Sequence, residues 1–311
     1  MHQSLAASSV RQRSSFKRRM LIWRRRLVPY TFLTPFYLLF LLFLCAPLVY
    51  AFYLSLFTDR LVGGTVFSGI QNYLRAFRDG AFWEGVGHML LLGIVQIPLM
   101  LGLALIFSFL IDAKTTPLRR LFRIGFFLPY AIPSVIAALL WGYLYGPSFG
   151  LFTQIEQALH LSTINLLNST WILPSIGNIV TWQYTGYNMI IIYAALQSIP
   201  PELAEAACVD GASAWQIATR IKIPLLAPAI ILTAIFSIIG TLQLFNEPQI
   251  LSTLAPTIVG DHYTPSIYAY SLAFSEQEYN YSAAISFVLA LIAFCCSSLF
   301  MYVTSRRGGR S

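Results

Sequence analysis

Asn178, Thr181, Thr185 and Asn188 follow one another at spacings of 3, 4 and 3, so two amides and two hydroxyls share one helical face, with Tyr184 and Tyr187 flanking it. Further along, Thr233, Ser237, Gly240 and Glu247 share a face in the same way, with Gln243 and Asn246 nearby. Amides and hydroxyls both donate and accept hydrogen bonds, so these stripes can meet a polar solute. They can equally bond one helix to the next, a role that suits Asn178, Thr181, Thr233 and Ser237. Reactive chemistry has no comparable grouping. The four histidines, His2, His88, His160 and His262, are isolated, and neither HExxH nor GxSxG occurs. A P-loop needs Gly-Lys, whereas Lys17, Lys114 and Lys222 follow Phe16, Ala113 and Ile221. The sequence therefore argues against an enzyme, and the chain is expected to hold no metal and no cofactor of its own.

The elements carrying these stripes follow from composition. Of 311 residues, 57% are hydrophobic and only 10% charged, with a mean hydropathy of +0.67. A water-facing domain carries about a quarter charged residues, so most of this surface faces lipid. A bilayer core about 30 Å thick takes roughly 20 apolar residues at 1.5 Å each. Six stretches meet that length: Val28 to Phe57, His88 to Ile111, Leu121 to Tyr145, Trp171 to Gln197, Pro224 to Asn246 and Ser282 to Thr304. Backbone polar groups in lipid must be satisfied within each segment, so the expectation is an all-α membrane protein of six transmembrane helices, kinked at Pro47, Pro98, Pro133, Pro174 and Pro228. The four cysteines are expected to be free thiols.

Seventeen of the 20 Lys and Arg residues fall in the N-terminal tail, the loops after the second and fourth stretches, and the C-terminal tail. Only Arg60, Arg75 and Arg78 fall on the other side. The positive-inside rule then puts both termini in the cytoplasm. The basic N-terminal cluster is an orientation signal drawn to anionic membrane lipid, not a nucleic-acid patch. The organisation expected is a cytoplasmic tail over 1–27, one six-helix domain over 28–304 and a short cytoplasmic tail over 305–311. Phe67, Tyr73, Phe77, Phe82 and Trp83 in the first outer loop suit interfacial anchoring or docking of an external partner.

The loop over 200–223 is the most informative stretch. Pro201 suits the first position of a helix, where its missing N–H costs nothing, and Glu202 and Glu205 favour that positive end. Gly211 suits a left-handed C-terminal cap, and Ala212 to Lys222 reads as a second helix before Pro224 opens the fifth span. Ala204, Ala207, Cys208 and Gly211 form a ridge of small residues that another protein could approach closely, the alternative being an amphipathic loop that lies on the membrane surface.

These residues resemble the EAA motif of the permease subunits of binding-protein-dependent ABC importers: Glu-Ala-Ala, three residues, Gly, nine residues, Ile, one residue, Leu-Pro. Glu205, Ala206, Ala207, Gly211, Ile221 and Pro224 stand at those positions, with Ile223 in place of Leu. The resemblance covers nearly the whole chain and looks closest to the carbohydrate-uptake, maltose and glycerol-phosphate type. Thr34 to Phe57, the Asn72–Tyr73 pair, Phe127 to Pro133 and Leu196 to Gly211 support it.

The resemblance implies a type I ABC importer permease fold in a bacterial or archaeal plasma membrane. It implies a second permease subunit, two ATP-binding subunits that hold ATP and Mg, and an extracytoplasmic sugar-binding protein. Glu205, Ala206, Ala207, Asp210, Gly211, Ile221 and Pro224 would then belong to a coupling helix and its continuation, with Glu205 facing a basic residue of the ATPase. Tyr184, Tyr187, Asn188, Gln243, Asn246 and Glu247 become candidates for the solute path, since a carbohydrate offers hydroxyls to amides and CH faces to rings. An importer of a polyol, glycerol phosphate or oligopeptide, and a gradient-driven secondary transporter, are the alternatives.

Overall fold

The computed structural model describes residues 30–60, 64–113 and 118–308, so the basic tail, Lys114 and Arg310 lie outside the described residues. Tyr30–Ser55 is one 26-residue helix (α1) whose most apolar 18 residues have a mean hydropathy of 2.3 with none of them buried, whereas Ser55 at its end is buried. It constitutes a unit by itself; Leu56–Ser311 is the other. A π-turn at Leu41–Cys45 precedes Pro47 and widens the helix at the carbonyls its ring would strike.

The second unit begins with an antiparallel hairpin, β1 (Phe57–Arg60) against β2 (Gly64–Phe67), which pairs Phe57 with Phe67. The expectation of helices alone is corrected here. Each strand has four residues and β2 is exposed throughout, so no alternation of apolar residues marks them. Asn72 holds the turn that follows by donating its amide to the Phe57 carbonyl at 2.7 Å.

A short helix, α2 (Gln71–Arg78), leads into α3 (Gly80–Asp112). Helix α3 starts eight residues before the expected boundary at His88 because Asp79 caps it, accepting from the Ala81 and Phe82 amides. Asp79 also accepts from the Tyr268 and Tyr281 hydroxyls at 2.8 and 2.6 Å. Arg75 lies over the Tyr281 ring at 3.7 Å and pairs with Glu278 at 2.6 Å, so α2 is fastened to the later helices at this end.

The stretch Leu121 to Tyr145 is not one rod. It is α4 (Arg119–Ala131) and α5 (Ser134–Leu144), bent by 94° at Ile132 and Pro133, both of which are extended. Proline removes a donor and disfavours helix at the residue before it, so both helical runs end there. The Ile132 carbonyl freed by the break accepts from Gln183 at 2.9 Å.

Past a short helix, α6 (Leu151–Ala158), comes α7 (Ile172–Gln197), then α8 (Pro201–Val209) and α9 (Ala214–Ile217). Helices α10 (Ile223–Leu242), α11 (Asn246–Leu254), α12 (Pro265–Phe274) and α13 (Tyr279–Gly308) complete the chain. Helix α7 is the hub, packed along α3 and against α4 and α10. Ile172, Ile176 and Ile179 join Met89 of α3 and Leu242 of α10 in one core cluster; Met189 and Ile192 join Ala104 and Leu226 in another. Gly186 permits the closest approach, because a Cβ there would run into the Phe126 carbonyl of α4.

Among the described residues, four helices are long and apolar enough to cross a membrane, and the bent pair makes a fifth. Helix α7 coincides with the fourth expected stretch but is more polar, with Thr181, Gln183, Thr185 and Asn188 among its buried residues.

Candidate functional site: an exposed loop helix and a ring-lined cavity

Helix α8 starts at Pro201 and none of its residues is buried. Its end is fixed by a six-residue cap: Gly211 takes φ +81°, its N–H donates to the Cys208 carbonyl, and the Ala212 N–H donates to Ala207. Nothing crowds Gly211, so the left-handed backbone alone demands glycine there. Ser213 and Gln216 then close a capping box that opens α9, two residues later than the expected Ala212.

Pro224 does not open a new helix. The chain runs from α9 through a π-turn at Ala218–Lys222 into α10, and Pro224 sits in the first turn of α10. As before Pro47, the wider turn holds the carbonyl four residues before the proline, here Arg220. Ile221 lies in this π-turn and is half-buried.

The small-residue ridge divides. Ala204 and Ala207 are half-buried against their own chain, whereas Glu205, Ala206, Cys208, Asp210 and Gly211 face outward. Val209 is 88% exposed and Trp215 76%, a large apolar pair on one polar loop that composition alone does not flag. Lys222 ties this region to the helices: its Nζ lies 2.9 Å from Asp112 Oδ2 at the end of α3. Gln197 at the end of α7 donates to Asp112 Oδ1 at 2.7 Å.

The second feature lies inside the bundle. Tyr184, Tyr187 and Asn188 from α7 meet Ser237 and Gly240 from α10 around a cavity of about 260 Å3, which Tyr130 of α4 also lines. The Tyr130 ring stacks on Tyr187 with centroids 4.7 Å apart and meets Tyr184 edge-on at 5.7 Å. Asn188 is 2% exposed, and its Nδ2 donates to the Tyr184 carbonyl at 3.0 Å. Three rings, an amide and a hydroxyl on a small cavity can hold a polar solute with apolar faces.

The other expected residues are elsewhere. Gln243 lies past the end of α10 and faces α13, beside Ala290 and Phe294. Asn246 donates to the Ser134 hydroxyl at 2.8 Å, joining α11 to the start of α5. Glu247 is 2% exposed in α11 and does not line the cavity. Their common reason is the break at Gln243–Phe245, which ends the helical phase that would have carried the Ser237 face onward. Of the other polar residues, Thr233 bonds back to its own helix and Asn178 donates to the Tyr145 hydroxyl at 2.8 Å. Tyr130 and Gln96 were not anticipated. Gln96, a lone amide in the apolar second stretch, was the available signal.

These features define a multi-pass helical membrane subunit with an exposed loop helix and a polar interior. The family model "Binding-protein-dependent transport system inner membrane component" matches residues 104–308, and the chain belongs to that family. It is 32% identical to the lactose transport system permease protein LacF of Rhizobium radiobacter, over 89% of this chain and 93% of LacF. It is 27% identical to the arabinooligosaccharides transport system permease protein AraP of Halalkalibacterium halodurans, over 90% and 88%. The fold matches a chain of a crystal structure of a bacterial ABC transporter involved in import of the acidic polysaccharide alginate. There the TM-score is 0.79 at 24% identity, covering 93% of this chain and 99% of that one.

Proposed function

We propose that this chain forms one half of the translocation pore of an ATP-driven importer that takes up a carbohydrate handed over by an extracytoplasmic binding protein. The observation that carries this reading is α8: an unburied helix with a glycine-capped end at the place of the EAA motif, linked by the turn at Gly211 to α9, which runs on into α10, and through Lys222–Asp112 to α3. Such a helix can seat in a groove of an ATPase subunit, and a push on it moves α10 and α3 together.

Orientation follows the distribution of Lys and Arg, with α8 and both termini in the cytoplasm. Helix α7 makes the sixth crossing, since its polar residues are turned to protein and not to lipid. A second permease subunit completes the pore, and two ATP-binding subunits hold ATP and Mg. ATP binding closes the ATPase pair, the coupling helices move, and the cavity turns from the cytoplasm towards the loaded binding protein; hydrolysis resets it. The chain itself contributes docking and a path, with Tyr130, Tyr184, Tyr187, Asn188 and Ser237 lining the latter. Relatives that carry lactose and arabinooligosaccharides favour a saccharide as solute.

Uptake by the complete complex in proteoliposomes tests this. Tyr187→Ala and Asn188→Ala should lower saccharide uptake, whereas Gln243→Ala should not. Unchanged uptake in both cavity variants would remove these residues from the path.

A further inference from the structure

Gln96 stands midway along α3, is 3% exposed, and lines two cavities at once. One is the ring-lined cavity described above. The other is a groove of about 990 Å3 beside α3 and α7, walled by Leu91, Val95, Leu99 and Leu173 and rimmed by Glu84 and His262. Gln96 thus stands between a wide groove and a smaller cavity.

Its hydrogen bonding fits packing poorly. Nε2 donates to the Met100 thioether at 3.3 Å, a weak acceptor, and Oε1 is buried with no partner. Turning the amide over makes this worse, because the sulfur would then face an oxygen with nothing to donate. Asn188, 2% exposed, points its Nδ2 at the same sulfur at 3.6 Å while also donating to Tyr184. Two buried amides converge on one thioether, and a carbonyl oxygen is left unpaired. Native interiors satisfy nearly all such groups, and an unpaired one on a side chain that lines two cavities points to a ligand that satisfies it once the amide turns towards it.

We propose that Gln96 is a specificity-determining residue of the solute path: its carbonyl oxygen accepts a hydrogen bond from a hydroxyl of a polyhydroxylated solute crossing from the groove to the cavity. The Gln96 and Asn188 amides then leave the Met100 sulfur and donate to solute oxygens. This inference rests on the transport reading given above.

The test is initial-rate uptake of tritiated lactose, arabinotriose and maltotriose by the complete importer with its binding protein, in wild type, Gln96→Met and Met100→Leu. Gln96→Met keeps the volume and removes both hydrogen-bonding groups, so KM should rise about five- to tenfold with little change in kcat, the loss of one buried hydrogen bond. Met100→Leu removes the resting partner of both amides and should lower KM, a gain that impaired folding does not produce. Wild-type KM in both variants, with saccharide uptake by the wild type intact, overturns the role of Gln96 and leaves the transport reading standing. Failure of the wild type to carry any of the three saccharides overturns the saccharide reading and this inference with it.

Discussion

Lys222 and Asp112 are 110 residues apart in sequence and 2.9 Å apart in space, both less than a quarter exposed. The pair joins the π-turn behind α9 to the end of α3, and Gln197 adds the end of α7 to the same carboxylate. The ends of α3 and α7 and the turn that leads into α10, three helices that line the ring-lined cavity, therefore meet on one acidic side chain.

Removing one partner leaves the other charge partly buried. Lys222→Met and Asp112→Asn should each destabilise the protein by about 1–3 kcal/mol, seen as a lower melting temperature in detergent. The exchanged pair, Asp112→Lys with Lys222→Asp, should recover part of that loss. Equal melting temperatures for wild type and single variants would show the contact to be energetically idle.

At Gly211 the requirement is conformational, since no atom crowds a Cβ there but φ is +81°. Gly211→Ala should cost about 1 kcal/mol of loop stability and Gly211→Asn less, because asparagine tolerates the left-handed region. Uptake should fall in the order Gly, Asn, Ala, measured at equal membrane levels of the protein.

Gly186 is the opposite case, where space decides. A methyl group would collide with the Phe126 carbonyl, a backbone atom of α4 that cannot swing aside. Gly186→Ala should destabilise by about 1–3 kcal/mol and lower the amount of protein in the membrane.

The Asp79 cap predicts a pH dependence. Burial alone would raise this carboxyl, but hydrogen bonds from Tyr281, Tyr268, Phe82 and Ala81 outweigh it and hold the group below its ordinary value. A lowered folded value means its stabilisation is complete above the unfolded carboxylate range, about pH 4, and is lost as pH falls through the folded value. Asp79→Asn should melt lower than wild type at pH 7, and the gap should narrow as the pH approaches 3.

Much of this was legible in the sequence because it depends on local chemistry. Pro201 and Gly211 mark the ends of α8 by what their backbones permit, and the apolar stretches mark helices by length. What was not legible depends on tertiary geometry. The 94° turn at Ile132 and Pro133 needs Gln183 to satisfy the freed carbonyl, and Tyr130 reaches the cavity only because of where α4 ends. The face shared by Thr233, Ser237, Gly240 and Glu247 depends on one unbroken helix, and that helix stops at Leu242, so Glu247 does not continue it. The hairpin over Phe57–Phe67 buries too little to leave a pattern.

The central claim is that α8 docks an ATPase subunit, and affinity purification of this chain from mild detergent addresses it most directly. A P-loop ATPase should co-purify with the wild type and be lost with Gly211→Trp, while the variant remains in the membrane. Retention of the ATPase by Gly211→Trp, or recovery of the wild type alone under conditions that preserve native complexes, would contradict it.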